Sequence, residues 1–166
     1  SQNLNFKKIQ LLYVGRIRVE KGIYSLLEIL KNSEIELTIV TPEKNTRLKT
    51  VQKNVNIVNF ENYKDSIIKF YDKNCIFILP SFTEGHPQVL DEALARKRPV
   101  IIFKEISHVL RDRKGIFISN RDINSLRKTI RHIESNYEKI KEEMKKNELP
   151  MKDDFILELK NIIFRG

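Results

Sequence analysis

Two carboxylates, Glu84 and Glu92, stand seven residues apart in the stretch Ser81-Phe82-Thr83-Glu84-Gly85-His86-Pro87-Gln88-Val89-Leu90-Asp91-Glu92-Ala93. A spaced carboxylate pair can in principle divide acid and base work between its members. Gly85 and Pro87 precede a run of helical character, so a helix N-terminus falls between the two acids. The backbone N–H groups at that end, from Gln88 to Leu90, favour an anion. Upstream, Arg16 and Lys21 follow a short apolar run that stops at Gly15. An arginine forks onto phosphate oxygens and a lysine adds a point charge. The residue types therefore suit an anionic, phosphate-like ligand, although two cations and a helix-surface glutamate are more often merely solvated. His86, His108 and His132 lack the spacing of metal ligands. Around Ser81 no Ser-His-acid arrangement is legible, so its expected task is to support the loop.

These residues need a scaffold that delivers strand ends and helix starts to one edge. Six short apolar runs read as buried strands: Leu11–Val14, Leu37–Val40, Val55–Val58, Ile76–Leu79, Val100–Phe103 and Ile116–Ile118. Between them, Ile23, Leu26, Leu27 and Leu30 fall at helical spacing, as do Ile67, Ile68 and Tyr71. Residues 43–53 are polar and compatible with a short helix. From Ile123 to Met144 the apolar residues recur every three or four positions, giving one long amphipathic helix or two collinear ones. Pro150 breaks that pattern, and Asp153 and Asp154 open a last helix with Phe155, Leu159, Ile162 and Ile163. Nearly all-apolar strands alternating with helices predict an α/β fold. Its sheet is parallel and doubly wound, of about six strands with helices on both faces. Such sheets bind ligands at the edge where strands end and helices begin.

The stretch from Ser81 to Ile101 resembles the donor-side signature of the retaining family-4 glycosyltransferases. Its elements are a small residue, a Glu-Gly-x-Pro turn, a second Glu, an Ala and a Pro-Val-Ile strand. Ser81, Glu84, Gly85, Pro87, Glu92, Ala93, Pro99, Val100 and Ile101 carry it, with Tyr13-Val14-Gly15-Arg16 and Glu20-Lys21-Gly22 upstream. The resemblance implies one Rossmann-like half of a GT-B fold. Residues 1–166 would be the C-terminal, nucleotide-sugar-binding domain, without its N-terminal acceptor domain. It implies that Arg16 and Lys21 neutralise the leaving diphosphate, and that Glu84, the candidate catalytic residue, hydrogen-bonds the hydroxyls of the donor hexose. Gly85, His86, Pro87, Gln88, Val89 and Leu90 would line the donor, and Glu92 would accept from the ribose hydroxyls. A retained anomeric configuration, no metal and no cofactor beyond the donor substrate are implied as well. So are a saccharide or lipid-linked acceptor, a role in bacterial surface polysaccharide or lipopolysaccharide synthesis, and a cytoplasmic, membrane-peripheral location. The chain departs from the pattern at Thr41-Pro42-Glu43, at Asn62 and at Lys104-Glu105-Ile106-Ser107-His108. At the last of these, many relatives carry a paired glycine and an acid.

Composition narrows the alternatives. At 166 residues the chain suits one domain with a sizeable core. Lysine and arginine number 31 against 22 acids, a net charge of +9, which points to anionic partners such as sugar nucleotides or an anionic membrane surface. No nucleic-acid-binding module is recognisable. The single Cys75 excludes an internal disulfide framework and suits core packing. No signal peptide and no apolar run near the bilayer-spanning length of roughly 20 residues are visible. A GT-B-like sugar-nucleotide epimerase would share fold and donor, but the glutamate pair argues against it. A non-catalytic flavodoxin-like domain would want acids after the first strand, where Gly15-Arg16 stands.

Overall fold

The computed structural model describes residues 10–44, 48, 52–59, 69–70 and 75–147. Among the described residues, six strands form one sheet: β1 (Gln10–Val14), β2 (Leu37–Thr41), β3 (Val55–Asn59), β4 (Cys75–Leu79), β5 (Val100–Phe103) and β6 (Ile116–Ser119). Every pairing is parallel, in the order β3-β2-β1-β4-β5-β6. This is the Rossmann-like α/β architecture expected from the apolar runs. β4 is buried at all five positions, as a central strand covered on both faces must be. β3, at one edge, leaves Asn56 and Asn59 exposed.

The helices follow from periodicity. α1 (Ile23–Leu30) buries Ile23, Leu26, Leu27 and Leu30, each worth about 1.5–3 kcal/mol of transfer free energy. α2 (Gln88–Ala95) buries Leu90, Ala93 and Leu94. α3 (Ile123–Ser135) is capped by Asp122, whose carboxylate accepts from the Ser125 amide at 2.8 Å. The long amphipathic stretch is two helices, because Asn136 leaves the helical region at φ −123° and ψ 17°. α4 (Tyr137–Met144) begins there, and the Tyr137 hydroxyl donates to the Cys75 carbonyl at 3.0 Å. Cys75 is buried, and its thiol donates to the Phe70 carbonyl at 3.8 Å.

The order of strands reverses direction between β1 and β4. Right-handed crossovers then put α1 on one face and α2 on the other, and the loops after β1 and β4 diverge to open a crevice. The expected helix over 153–163 and the break at Pro150 lie outside the described residues, as do Asn62 and most of the helices expected over 43–53 and 63–71. Among the described residues, no helix is long and apolar enough to cross a membrane.

Candidate functional site

The crevice at the strand switch is a cleft of about 290 Å³. The loop after β1 forms one wall. Its shape is set by backbone bonds: the Tyr13 hydroxyl donates to the Arg16 carbonyl at 2.7 Å, and the Ile17 amide donates to Glu43 Oε2 at 3.2 Å. Burial pushes the Tyr13 hydroxyl well above the ordinary phenol value, and Glu84, Glu43 and Glu20 add to the shift. Tyr13 therefore stays a donor at every physiological pH. A single 3₁₀ turn, Val19–Lys21, then brings Lys21 round to face the β4 loop.

The two loops touch at Gly22. It sits at φ 72°, and a Cβ there would lie 1.9 Å from the Pro80 carbonyl oxygen. Only glycine permits both the backbone conformation and the approach. The Phe82 amide donates to the Glu20 carbonyl at 3.0 Å, closing the same seam.

Glu84 lies across this seam. Its Oε1 accepts from Lys21 Nζ and from the buried Ser81 hydroxyl, both at 2.7 Å. His108 approaches the Glu84 carbonyl from the other side, with Nε2 at 2.7 Å. A carbonyl oxygen only accepts, so the proton of that bond is on Nε2. Arg121 underpins the loops. Its guanidinium stacks 3.9 Å from the Phe82 ring centre and 4.3 Å from that of Phe103. It also donates to Glu105 Oε1 at 2.8 Å and to the Ser81 carbonyl at 3.4 Å. That contact holds the Glu105 carboxyl below its ordinary range.

The opposite wall is the first turn of α2. Its leading N–H groups have no partner within the helix, by geometry. Gln88 and Val89 line the cleft with His86 and Pro87. The Leu90 amide donates to the Pro87 carbonyl at 3.1 Å, and its side chain is in the core rather than the cleft. Gly85 is exposed, with nothing within 4 Å of where a Cβ would stand. His86 Nε2 lies 2.9 Å from Asp91 Oδ2, and Arg113 Nη1 lies 2.5 Å from Asp91 Oδ1.

Of the residues selected from sequence, Arg16, Lys21, Glu84, His86, Pro87, Gln88 and Val89 line one cleft. Glu92 is not on its lining. It is buried, and its Oε1 accepts from Arg96 Nε at 2.8 Å, one helical turn on. Arg18 is exposed and also lines the cleft. Sequence reasoning gave no role to Tyr13, Asp91, Arg113 or Arg121. A second cleft, also of about 290 Å³, lies at the opposite edge of the sheet beside Gln10, Glu36, Lys53 and Asn54. It contains none of the motif residues, and chemistry in parallel sheets belongs to the other edge. Among the described residues, no group of three or more His, Cys, Asp or Glu could hold a metal ion.

The profile of Glycosyl transferases group 1 matches residues 1–149. A putative teichuronic acid biosynthesis glycosyltransferase, TuaC of Bacillus subtilis, is 32% identical over 90 residues, 54% of this chain and 23% of that protein. An uncharacterized glycosyltransferase of Haemophilus influenzae is 33% identical over 102 residues, 56% of this chain and 29% of that protein. Among solved structures, WaaG, a glycosyltransferase involved in lipopolysaccharide biosynthesis, superposes with a TM-score of 0.66 at 16% identity. The match covers 96% of this chain and 48% of that one. Sucrose-phosphate synthase from Thermosynechococcus elongatus gives a TM-score of 0.66 at 17% identity, covering 96% and 45%. The matches thus span about a quarter of these curated relatives and under half of these solved chains.

Proposed function

The chain belongs to the glycosyl transferases group 1, and from that premise we propose that it is the C-terminal, donor-binding half of a retaining GT-B enzyme of family 4. The carrying observation is that Arg16, Lys21 and Glu84 converge on the first turn of α2 in one cleft. In this reading the donor is a nucleotide-diphosphate sugar. Arg16, Lys21 and the N–H groups at Gln88 and Val89 oppose the charge that grows on the diphosphate as the glycosidic bond breaks. These groups supply the positive charge the step requires without a divalent cation. Glu84 orients the hexose through its hydroxyls, with Oε1 already anchored to Lys21 and Ser81. Glu92 serves the ribose while sharing its carboxylate with Arg96.

A cleft of about 290 Å³ is at the lower end of small-molecule sites. The remaining wall would come from an N-terminal acceptor domain, which presents the saccharide or lipid-linked acceptor of a surface polysaccharide. The net charge of +9 supports electrostatic, peripheral contact with an anionic membrane. Co-sedimentation with anionic vesicles at low salt, lost at high salt, is the expected sign; no binding at low salt removes that part.

Calorimetric titration with UDP and GDP tests the site itself. Replacing Arg16 or Lys21 with Ala is expected to weaken nucleotide-diphosphate binding by about 1.5–3 kcal/mol, the scale of a charge-assisted contact. Equal affinity in wild type and variants would sink the assignment.

A further inference from the structure

The segment after β5, running from Lys104 to Arg113, does not line the cleft. It nevertheless reaches the Glu84–Gly85–His86 turn by two routes. His108 donates to the Glu84 carbonyl at 2.7 Å. Arg113 grips Asp91, and Asp91 in turn holds His86. Arg113 also donates to the Val109 carbonyl, which ties that grip to the segment's own backbone.

We propose that this segment is a brace for the turn, with His108 and Asp91 as positioning residues. The inference rests on the donor reading for its consequence, though not for its geometry. Gly85 has open space around it, so packing alone does little to hold the turn. His86 is 54% exposed on its side chain and would otherwise sample several rotamers, whereas Asp91 is 7% exposed and fixed. An ionised carboxylate only accepts, so Asp91 draws the imidazole proton to Nε2. Nδ1 is then the ring atom left for a ligand hydroxyl at the cleft. His108 acts on the main chain instead, setting the height of Glu84 above the α2 terminus. Neither residue needs to touch the donor. Together they fix the two side chains that flank Gly85.

Amide hydrogen exchange on the ligand-free 166-residue chain tests the brace. His108→Ala is expected to speed exchange at Gly85 and His86 about fivefold, the loss of one net hydrogen bond. His108→Gln, which keeps an N–H donor, should restore much of the protection. Asp91→Ala would strand the buried Arg113, so Asp91→Asn is the variant of choice; it should speed the same amides about as much. Amides of β4 and β5 should not change. Unchanged exchange at the turn, or an equal rise throughout the sheet, overturns the brace.

Titration with UDP against UDP-glucose, and GDP against GDP-mannose, reads its consequence. The extra affinity for the sugar nucleotide should fall about fivefold in His108→Ala while diphosphate affinity stays within about twofold. In a His86→Ala background, Asp91→Asn should have no further effect, since Asp91 acts through that ring. A parallel fall for diphosphate and sugar nucleotide overturns the positioning role. Faster exchange in the variants, with no probe bound even by the wild-type chain, supports the brace and removes the donor reading.

Discussion

The turn that carries Glu84 and the helix that carries Glu92 hold their carboxylates in opposite ways. Exposure does not separate them: the side chains are 9% and 5% exposed. Their partners do. Glu84 is held by Lys21, 63 residues earlier and on another loop, with both residues on the cleft lining. Glu92 is held by Arg96 from its own helix, away from that lining. One carboxylate joins two loops at a ligand edge; the other locks a helix to itself. Equal standing in a sequence signature therefore does not mean equal standing in the folded chain. A partner brought in by tertiary structure ties two loops together, whereas a partner one turn away steadies a single helix.

The largest effect expected from this contrast is on stability. Arg96→Ala leaves a buried carboxylate short of a partner and should cost about 3 kcal/mol in urea unfolding. Lys21→Ala should cost about 1 kcal/mol, because Lys21 is a third exposed and its pair is partly screened. Comparable losses in the two variants would break the contrast.

Ligand affinity should divide the other way. Glu84→Gln is expected to spare the bare nucleotide diphosphate and to cut the added affinity for the sugar nucleotide about tenfold, the scale of a carboxylate–hydroxyl bond. Glu92→Gln should weaken both ligands alike, because both depend on the ribose and on an intact α2. Paired titrations decide this. Glu84→Gln weakening both equally, with Glu92→Gln silent, would reverse the placement of the motif around the donor.

A carboxylate with no ligand task gives the floor of the scale. Glu34 receives two bonds from Arg127 on α3, which hold its carboxyl down from 4.5 to about 2. A depressed folded pKa stabilises above the unfolded value and loses that contribution as pH falls through the folded one. Melting temperatures from about pH 6 to about pH 2 should show a small wild-type advantage over Arg127→Gln that fades across this window. An advantage that grows with acid would contradict the pairing.

Much of the scaffold was legible because burial on two faces writes itself as uninterrupted apolar runs, as in Cys75-Ile76-Phe77-Ile78-Leu79. Two helices over 123–144 were one of the two expectations, but the position of the break at Asn136 was not legible, since Ile133 and Tyr137 keep the helical interval across it. Within the candidate site, local signals survived and long-range ones did not. Gly85, Pro87 and the start of α2 could be placed from neighbouring residues. Nothing near Arg121 announces that it will stack on Phe82 and Phe103, because these come from the β4 loop and the end of β5. Arg96 was the missed local clue: an arginine four residues after a glutamate on a helix is a pairing signal.

The empty space beside Gly85 has a consequence for which substitutions the chain can absorb. At position 22 an added methyl group meets the Pro80 carbonyl, so the fold itself enforces glycine. At position 85 an added methyl group meets nothing, and the backbone there needs no left-handed turn. A screen that scores only folded, soluble protein would find position 22 intolerant and position 85 permissive. A screen that scores donor use would find position 22 intolerant again, and would find position 85 intolerant only if the donor reaches the open space beside it. The two glycines thus separate a position that the fold closes to other residues from one that it leaves open.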